Sequence, residues 1–263
     1  VDPTRPFSKT VLKPSHGALI TSATLRDRTD DEAQDWFSAE RRTGAVHLLS
    51  EPIHDTQVSP FDYPNKTRVL IVGDVNKMDG AAVAAAYREL FIASGGGGLG
   101  LFTAISRLRG VYDRITNQME GAGLPLYAQH IDAMDTGTLV DIFRAEENSC
   151  LLGTDAVRDG VDVPGRSLRL IAFDRVPWPR PTIIHKTRRS HFGGRSYDEM
   201  LTRLKLKQAY GRLLRQDGDK GVFVMLDKAL PTRLTTAFPE GVEVHRIGLA
   251  EAISMTHKFL KNI

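Results

Sequence analysis

A mainly parallel α/β sheet, covered by helices on both faces, is the fold class this sequence predicts. From residue 68 onward, short apolar runs alternate with amphipathic segments of helical length, and no internal repeat interrupts them. Hydrophobic residues at 41% and charged residues at 25% supply the core and the solvated surface of an ordinary globular protein. With 263 residues the chain suffices for one large domain or two small ones.

Residues 1–16 are polar and Pro-rich and read as a lead-in. The chain begins with Val1 rather than Met, so a piece of a longer protein is expected. Residues 17–20 predict a short buried strand ending in Thr21-Ser22-Ala23-Thr24-Leu25. Small hydroxyl residues there either cap the next helix or bind a phosphate or water, and capping is the simpler role. Residues 26–50 are charged, with weak periodicity around Trp36-Phe37, and 51–65, with three prolines, reads as a connector.

Strands are then expected at 68–73, 99–102, 124–129, 149–152, 168–173, 221–226 and 242–247. Helices are expected at 81–94, 104–119, 138–146 and 250–261. The run Gly95-Gly96-Gly97-Gly98 precedes a strand instead of following one, and the chain contains no Gly-Lys pair. It therefore reads as a flexible turn and not as a phosphate loop, which needs Gly-Lys-Ser/Thr opening a helix. After the strand at 99–102, Thr103 begins a helix with Ser106 one turn on. Hydroxyls and free amides at such a terminus hold a backbone phosphate or serve as a plain N-cap.

Gly153-Thr154-Asp155 leaves the strand at 149–152, and Asp159-Gly160-Val161-Asp162-Val163-Pro164-Gly165 closes the loop. Acids and glycines at a strand exit suit ribose hydroxyls, a metal-bound water or an Arg partner, with a structural turn as the alternative for each Asp. Trp178-Pro179-Arg180-Pro181 opens a basic tract that runs to Arg195 and reads as a long irregular loop. Its charge and aromatics suit a nucleic-acid path, as they also suit a solvated surface.

Ser196-Tyr197-Asp198-Glu199 has the form of a capping box, from which a helix is expected to run to Arg215 and stop near Gly218. Within it Gln208, Arg212 and Arg215 stand at i, i+4 and i+7 and share one narrow face, with Gly211 on the same side. A Gln and two Arg held in register form a donor array suited to a polyphosphate. The charge distribution agrees: residues 178–215 hold ten Lys/Arg and two acids, a net +8 that leaves −5 for the rest of the chain. A single cysteine, Cys150, rules out an internal disulfide and suits a reducing, cytoplasmic compartment. The histidines show no metal-ligand spacing, Asp30-Asp31-Glu32 does not end an apolar strand, and no run is long enough to span a membrane.

Taken in order, these blocks resemble the C-terminal half of a superfamily-two helicase of the DinG/XPD type. Thr21-Ser22-Ala23-Thr24-Leu25 resembles the family's motif III. Ser59-Pro60-Phe61-Asp62-Tyr63-Pro64-Asn65 is similar to a segment that precedes the second motor domain in DinG-like proteins. Leu101-Phe102-Thr103 resembles motif IV, residues 153–165 motif V, and Gln208 to Arg215 motif VI.

The resemblance implies a RecA-like second motor domain over 51–263, preceded by a hinge segment at 1–50 that leads from a first motor domain outside this sequence. It implies that Gln208, Arg212 and Arg215 face ATP held by that first domain, the arginines as fingers on the γ-phosphate. Gly160, Asp162 and Gly211 would lie beside the nucleotide. Thr103, Ser106, Thr154 and Arg180 would hold the phosphates of single-stranded DNA. Thr21, Ser22, Ala23 and Thr24 would couple nucleotide state to domain motion. Asp159 stands where family members often carry Glu, which alters an Arg contact. ATP and magnesium would be bound mainly by the first domain, and any iron–sulfur cluster would belong there too. The chain alone is therefore expected not to hydrolyse ATP. The competing readings are a non-catalytic nucleic-acid-binding or interaction module on the motor fold, and an RNA-directed helicase.

Overall fold

The structure, a computed structural model, describes residues 2–27, 29, 31–155, 157 and 162–261. It divides into two compact units, Val1–Pro60 with Trp178–Lys207, and Phe61–Pro177 with Gln208–Ile263. Residues 178–207, expected within the domain 51–263, group here with the N-terminal segment.

The second unit is built on seven strands: β1 Thr67–Val72, β2 Gly98–Leu101, β3 Leu126–Ala128, β4 Cys150–Gly153, β5 Leu170–Phe173, β6 Gly221–Met225 and β7 Val244–Ile247. Their order is β3-β4-β2-β5-β6-β1-β7, and every pairing among the described residues is parallel. The register places Leu70 opposite Val224 and Leu99 opposite Ile171. The five inner strands are buried almost throughout, as strands covered on both faces must be, whereas β3 and β7 at the edges are only partly buried.

Side-chain alternation sorts the core into two layers. Leu70, Val72, Leu152, Leu170, Val222 and Val224 pack with Tyr87, Leu90 and Phe91 of the helix Gly80–Ala93, with Leu108, Val111 and Ile115 of Ile105–Gly121, and with Ala252 and Leu260 of Leu249–Leu260. On the opposite face Phe223 meets Phe173, Tyr210 and Phe238 at ring-centroid separations of 5.6, 6.3 and 5.1 Å. Asp79 caps the helix Gly80–Ala93 by accepting from the amides of Ala81 and Ala82, and Asp135 caps Thr136–Ala145 in the same way. Cys150 is fully buried on β4, and burial pushes its thiol up to about 12.

The glycine run is a turn, but a packed one rather than the flexible one expected. Gly95, Gly96 and Gly97 all have positive φ, and a Cβ on Gly96 would lie 2.1 Å from the Asn148 carbonyl oxygen. Arg169, 4% exposed, threads beneath the turn and donates to the carbonyls of Ser94, Gly95, Glu147 and Arg166 and to Asn148 Oδ1. That buried guanidinium ties three segments together at the amino end of the sheet.

In the first unit Asp31 caps the helix Glu32–Thr43, which closes on left-handed Gly44. Arg203 reaches Asp27 in a two-pronged ion pair, Nε to Oδ1 at 2.9 Å and Nη2 to Oδ2 at 2.6 Å, with both side chains less than a tenth exposed. Three expectations fail here. Residues 17–20 form no strand and are exposed, Leu19 at 90%, because no described strand of this unit lies ready to pair with them. The basic tract contains a helix, Ile183–Phe192, because Thr182 accepts from the His185 amide and Gly193 ends it at φ 112°. The helix that follows starts at Arg195, not at a capping box: Ser196 lies inside it and its hydroxyl donates to the Gly193 carbonyl.

Replacing Gly96 by Ala forces a side chain into the Asn148 backbone at a positive φ. The expected loss of stability exceeds about 1 kcal/mol, measured as a shift of the urea unfolding midpoint.

Candidate functional site

Because the strands of the second unit run in parallel, their carboxyl ends gather at one edge, where sites in such folds lie. Thr103 follows β2, and its amide donates to Asp174 Oδ1 at 3.1 Å. Asp174 follows β5, is wholly buried, and is paired with Arg107, whose Nε donates to Oδ2. Burial raises the Asp174 pKa above the usual aspartate range, with the Arg107 hydrogen bond and charge opposing the rise. The helix Ile105–Gly121 has Ala104, not Thr103, at its N-cap position. Ser106 stands exposed in its first turn.

After β4, Thr154 donates both its amide and its hydroxyl to Gln129 Oε1, at 3.0 and 2.8 Å. Gln129, 5% exposed, donates in turn to the Thr136 hydroxyl at 3.1 Å. Gly153 admits this turn because a Cβ there would come within 2.5 Å of buried Val157. Gly160 and Asp159 lie outside the described residues. Asp162 is exposed; its carbonyl accepts from Arg144 Nε at 3.0 Å, and its Oδ1 lies 3.1 Å from Arg215 Nε.

Arg215 does not reach Asp162 from a helix. The helix Arg195–Tyr210 stops five residues short of Arg215, so Gln208, Arg212 and Arg215 do not share one helical face. The physical reason is local packing. Tyr210 is anchored by the Thr67 hydroxyl and by the rings of Tyr63 and Phe238. Leu213 and Leu214 are both buried, and Leu213 sits against the bare Cα of Gly221. The chain tightens after Tyr210, with the Arg212 amide on the Ala209 carbonyl and the Leu213 amide on that of Tyr210. Gly211 and Arg212, both half-buried, lie in this turn, and Gln208 is half-buried on the last helical turn.

The remaining expected residues belong to the first unit. Ser22 and Thr24 form a hydroxyl-bonded turn, Ser22 Oγ accepting from the Thr24 amide at 3.2 Å, with Thr21 and Ala23 exposed. They do not cap the next helix, a role that Asp31 takes. Arg180 is exposed ahead of the helix Ile183–Phe192. Sequence reasoning missed Gln129, Arg107, Asp174 and Asp227. Asp227, 4% exposed, follows β6 and accepts from Lys77 Nζ at 2.8 Å and from the Val176 amide at 3.3 Å. Asp174 and Asp227 carry one legible signal, being the first polar residue after an apolar run.

The carboxyl edge therefore offers Thr103 and Thr154, while the cation of Arg215 lies beside Asp162 on the loops that lead into β6 and β5. Among the described residues no group of three or more His, Cys, Asp or Glu is arranged to hold a metal ion. No helix among them is long and apolar enough to cross a membrane. Compared with known proteins, residues 87–244 match the family model described as the helicase C-terminal domain, which covers more than half of the chain. The chain belongs to the helicase C-terminal domain family.

This helicase C-terminal domain is 36% identical over 151 residues to the ATP-dependent helicase DinG of Mycobacterium tuberculosis, covering 55% of the chain and 22% of that protein. It is 30% identical over 226 residues to the ATP-dependent DNA helicase YoaA of Escherichia coli, covering 82% of the chain and 33% of that protein. A Bacillus subtilis relative named 3'-5' exonuclease DinG is 30% identical over 190 residues, covering 66% of the chain and 20% of that protein. The chain thus spans about a fifth to a third of the curated relatives it matches. Among solved structures, an XPD helicase aligns with a TM-score of 0.51 at 19% identity, covering 68% of the chain and 35% of its own length. Dbp5 of S. cerevisiae, bound to RNA and ADP BeF3, aligns at 0.54 and 14%, covering 88% and 53%. The RecA-like α/β fold is therefore the fold of this domain.

Arg107→Ala strips the buried Asp174 carboxylate of its cation, and a loss of about 3–5 kcal/mol is expected near neutral pH. An acid whose folded pKa is raised contributes stability below its unfolded pKa and loses it as pH climbs through the folded value. The variant's deficit in thermal unfolding should therefore be smaller at about pH 5 than at about pH 8. An equal deficit at both would show that Asp174 is not the group left exposed to the loss.

Proposed function

We propose that this domain is the second motor domain of an ATP-dependent DNA helicase and supplies half of its catalytic site. The observation that carries the reading is the Arg215 guanidinium, about one-third exposed and 3.1 Å from Asp162, on the loops that lead into β6 and β5 of a helicase-family sheet. Arg212 lies three residues earlier, in the tight turn that follows Tyr210. In this reading the two arginines and Gln208 reach the polyphosphate of ATP bound on a preceding domain. Gly160, Asp162 and Gly211 flank the nucleotide. An arginine placed on the transferring phosphoryl group stabilises charge that develops only in the transition state, which in nucleoside triphosphatases amounts to roughly 10³–10⁵ in rate.

The residues present fit one flank of a nucleotide. They bring cations and a carboxylate, but no Gly-Lys loop to cradle the β- and γ-phosphates with magnesium. The preceding domain would hold ATP and magnesium, and with them any iron–sulfur cluster. Residues 1–50, with Thr21 to Thr24, would connect the two domains and couple nucleotide state to their motion. The exposed Leu19 and Ile20 are consistent with a face completed by other parts of the polypeptide. Thr103, Ser106, Thr154 and Arg180 would hold the phosphates of single-stranded DNA. The Thr154 hydroxyl already donates to Gln129, so its contact to a phosphate would come from a rearranged pair.

In the intact protein, Arg212→Ala and Arg215→Ala should each lower strand-dependent ATP hydrolysis by roughly 10³-fold or more, with unchanged thermal unfolding. Undiminished turnover in both would leave a non-catalytic nucleic-acid-binding module as the better description. The chain of 263 residues alone should show no hydrolysis above background. A second reading, an RNA-directed helicase, rests on the phosphate-only character of these contacts, which do not read the sugar. Stimulation of the ATPase by single strands of DNA and of RNA, compared at one salt concentration, separates the two.

A further inference from the structure

Asp219 lies where the loop that leads into β5 meets the loop that leads into β6. It is 6% exposed, and its carboxylate accepts three backbone amides: Gly165 on Oδ1 at 3.1 Å, Arg215 on Oδ2 at 2.7 Å and Gln216 on Oδ2 at 2.9 Å. Its own amide donates to the Gln216 carbonyl at 3.1 Å, which closes a short ring. One loop therefore carries Asp162 to Gly165, the other Arg215 to Asp219, and one buried carboxylate joins their backbones.

The side-chain pair across these loops does not do this itself. Arg215 and Asp162 are 35% and 70% exposed, and ion pairs so open to water hold little geometry. Charge-assisted bonds from three amides to a buried carboxylate are roughly twice as strong as neutral ones. Gly165 complements the clamp, since it adopts φ 79° and a Cβ there would lie 3.2 Å from Gln216 Nε2. With the helix ended at Tyr210, nothing helical dictates where the Arg215 backbone goes. Asp219 is the group that does.

We propose that Asp219 is a positioning residue, which sets the reach of the Arg215 guanidinium by tying the Arg215 and Gln216 amides to that of Gly165. This rests on the reading of Arg215 as a catalytic cation, and the test separates the two claims. Strand-stimulated ATP hydrolysis of the intact protein is measured for Asp219→Ala, Asp219→Asn, Arg215→Ala and the double variant Asp219→Ala/Arg215→Ala, each with its melting temperature. Asp219→Ala should lower kcat by about 10²-fold, the scale of a displacement near 1 Å, with a much smaller change in KM for ATP. Asp219→Asn, which keeps one acceptor oxygen, should fall between. In the Arg215→Ala background, Asp219→Ala should cost nothing further.

Multiplying losses in the double variant, or loss in Arg215→Ala with none in Asp219→Ala, overturns the positioning role alone. An unchanged kcat in Arg215→Ala overturns the arginine reading, and the positioning role with it. If Asp219→Ala does not fold, Asp219→Asn decides. Failure of both to unfold cooperatively makes Asp219 a residue of the fold and ends the proposal.

Discussion

Seven strands running the same way impose one constraint from which the rest of the second unit follows. Every connection must cross back over the sheet, so apolar faces are covered by returning helices, and every strand exit falls on the same edge. The chain turns there at Thr103, Thr154, Asp174 and Asp227, and polar side chains close these turns by taking up backbone amides or neighbouring side chains. At the opposite edge the start of β2 is closed structurally. Arg169 and the glycine turn seal it so tightly that no room is left for a Cβ at Gly96.

Around Arg215, the end of the helix Arg195–Tyr210 matters more than its length. A straight continuation to Arg215 would set three side chains in a rigid row. The observed turn instead buries Leu213 and Leu214, and brings Arg215 around to the loop that carries Asp162. The arginine's direction is then a property of backbone hydrogen bonds, not of helical phase.

Much of the sheet could be read from apolar runs alone, since buried parallel strands such as Val69 to Val72 or Val222 to Met225 are apolar without interruption. Thr103 and Thr154 stand just past β2 and β4, at the ends of two such runs. What the sequence hid were features set by partners distant along the chain. Residues 17–20 have the composition of a strand, yet a strand requires a neighbour, and composition does not supply one. The helix Ile183–Phe192 was obscured by Pro179, Pro181 and a dense run of charge, although Thr182 and Gly193 mark its two ends. Ser196-Tyr197-Asp198-Glu199 has the letters of a capping box without the geometry, because the preceding glycine pair lets the helix begin one residue earlier. Asp174, Asp219 and Gln129 were unreadable as functional elements, since their meaning lies in which amides they meet.

Cys150 has a practical corollary. It is the one cysteine of the sequence, and its thiol, sealed within β4 and held near 12, carries almost no thiolate at neutral pH. Any cysteine introduced at an accessible position of this chain would then be the sole reactive sulfur toward a maleimide dye. Single-site fluorophore attachment becomes feasible without first deleting a native residue, and the movement of one loop against another can be followed by energy transfer.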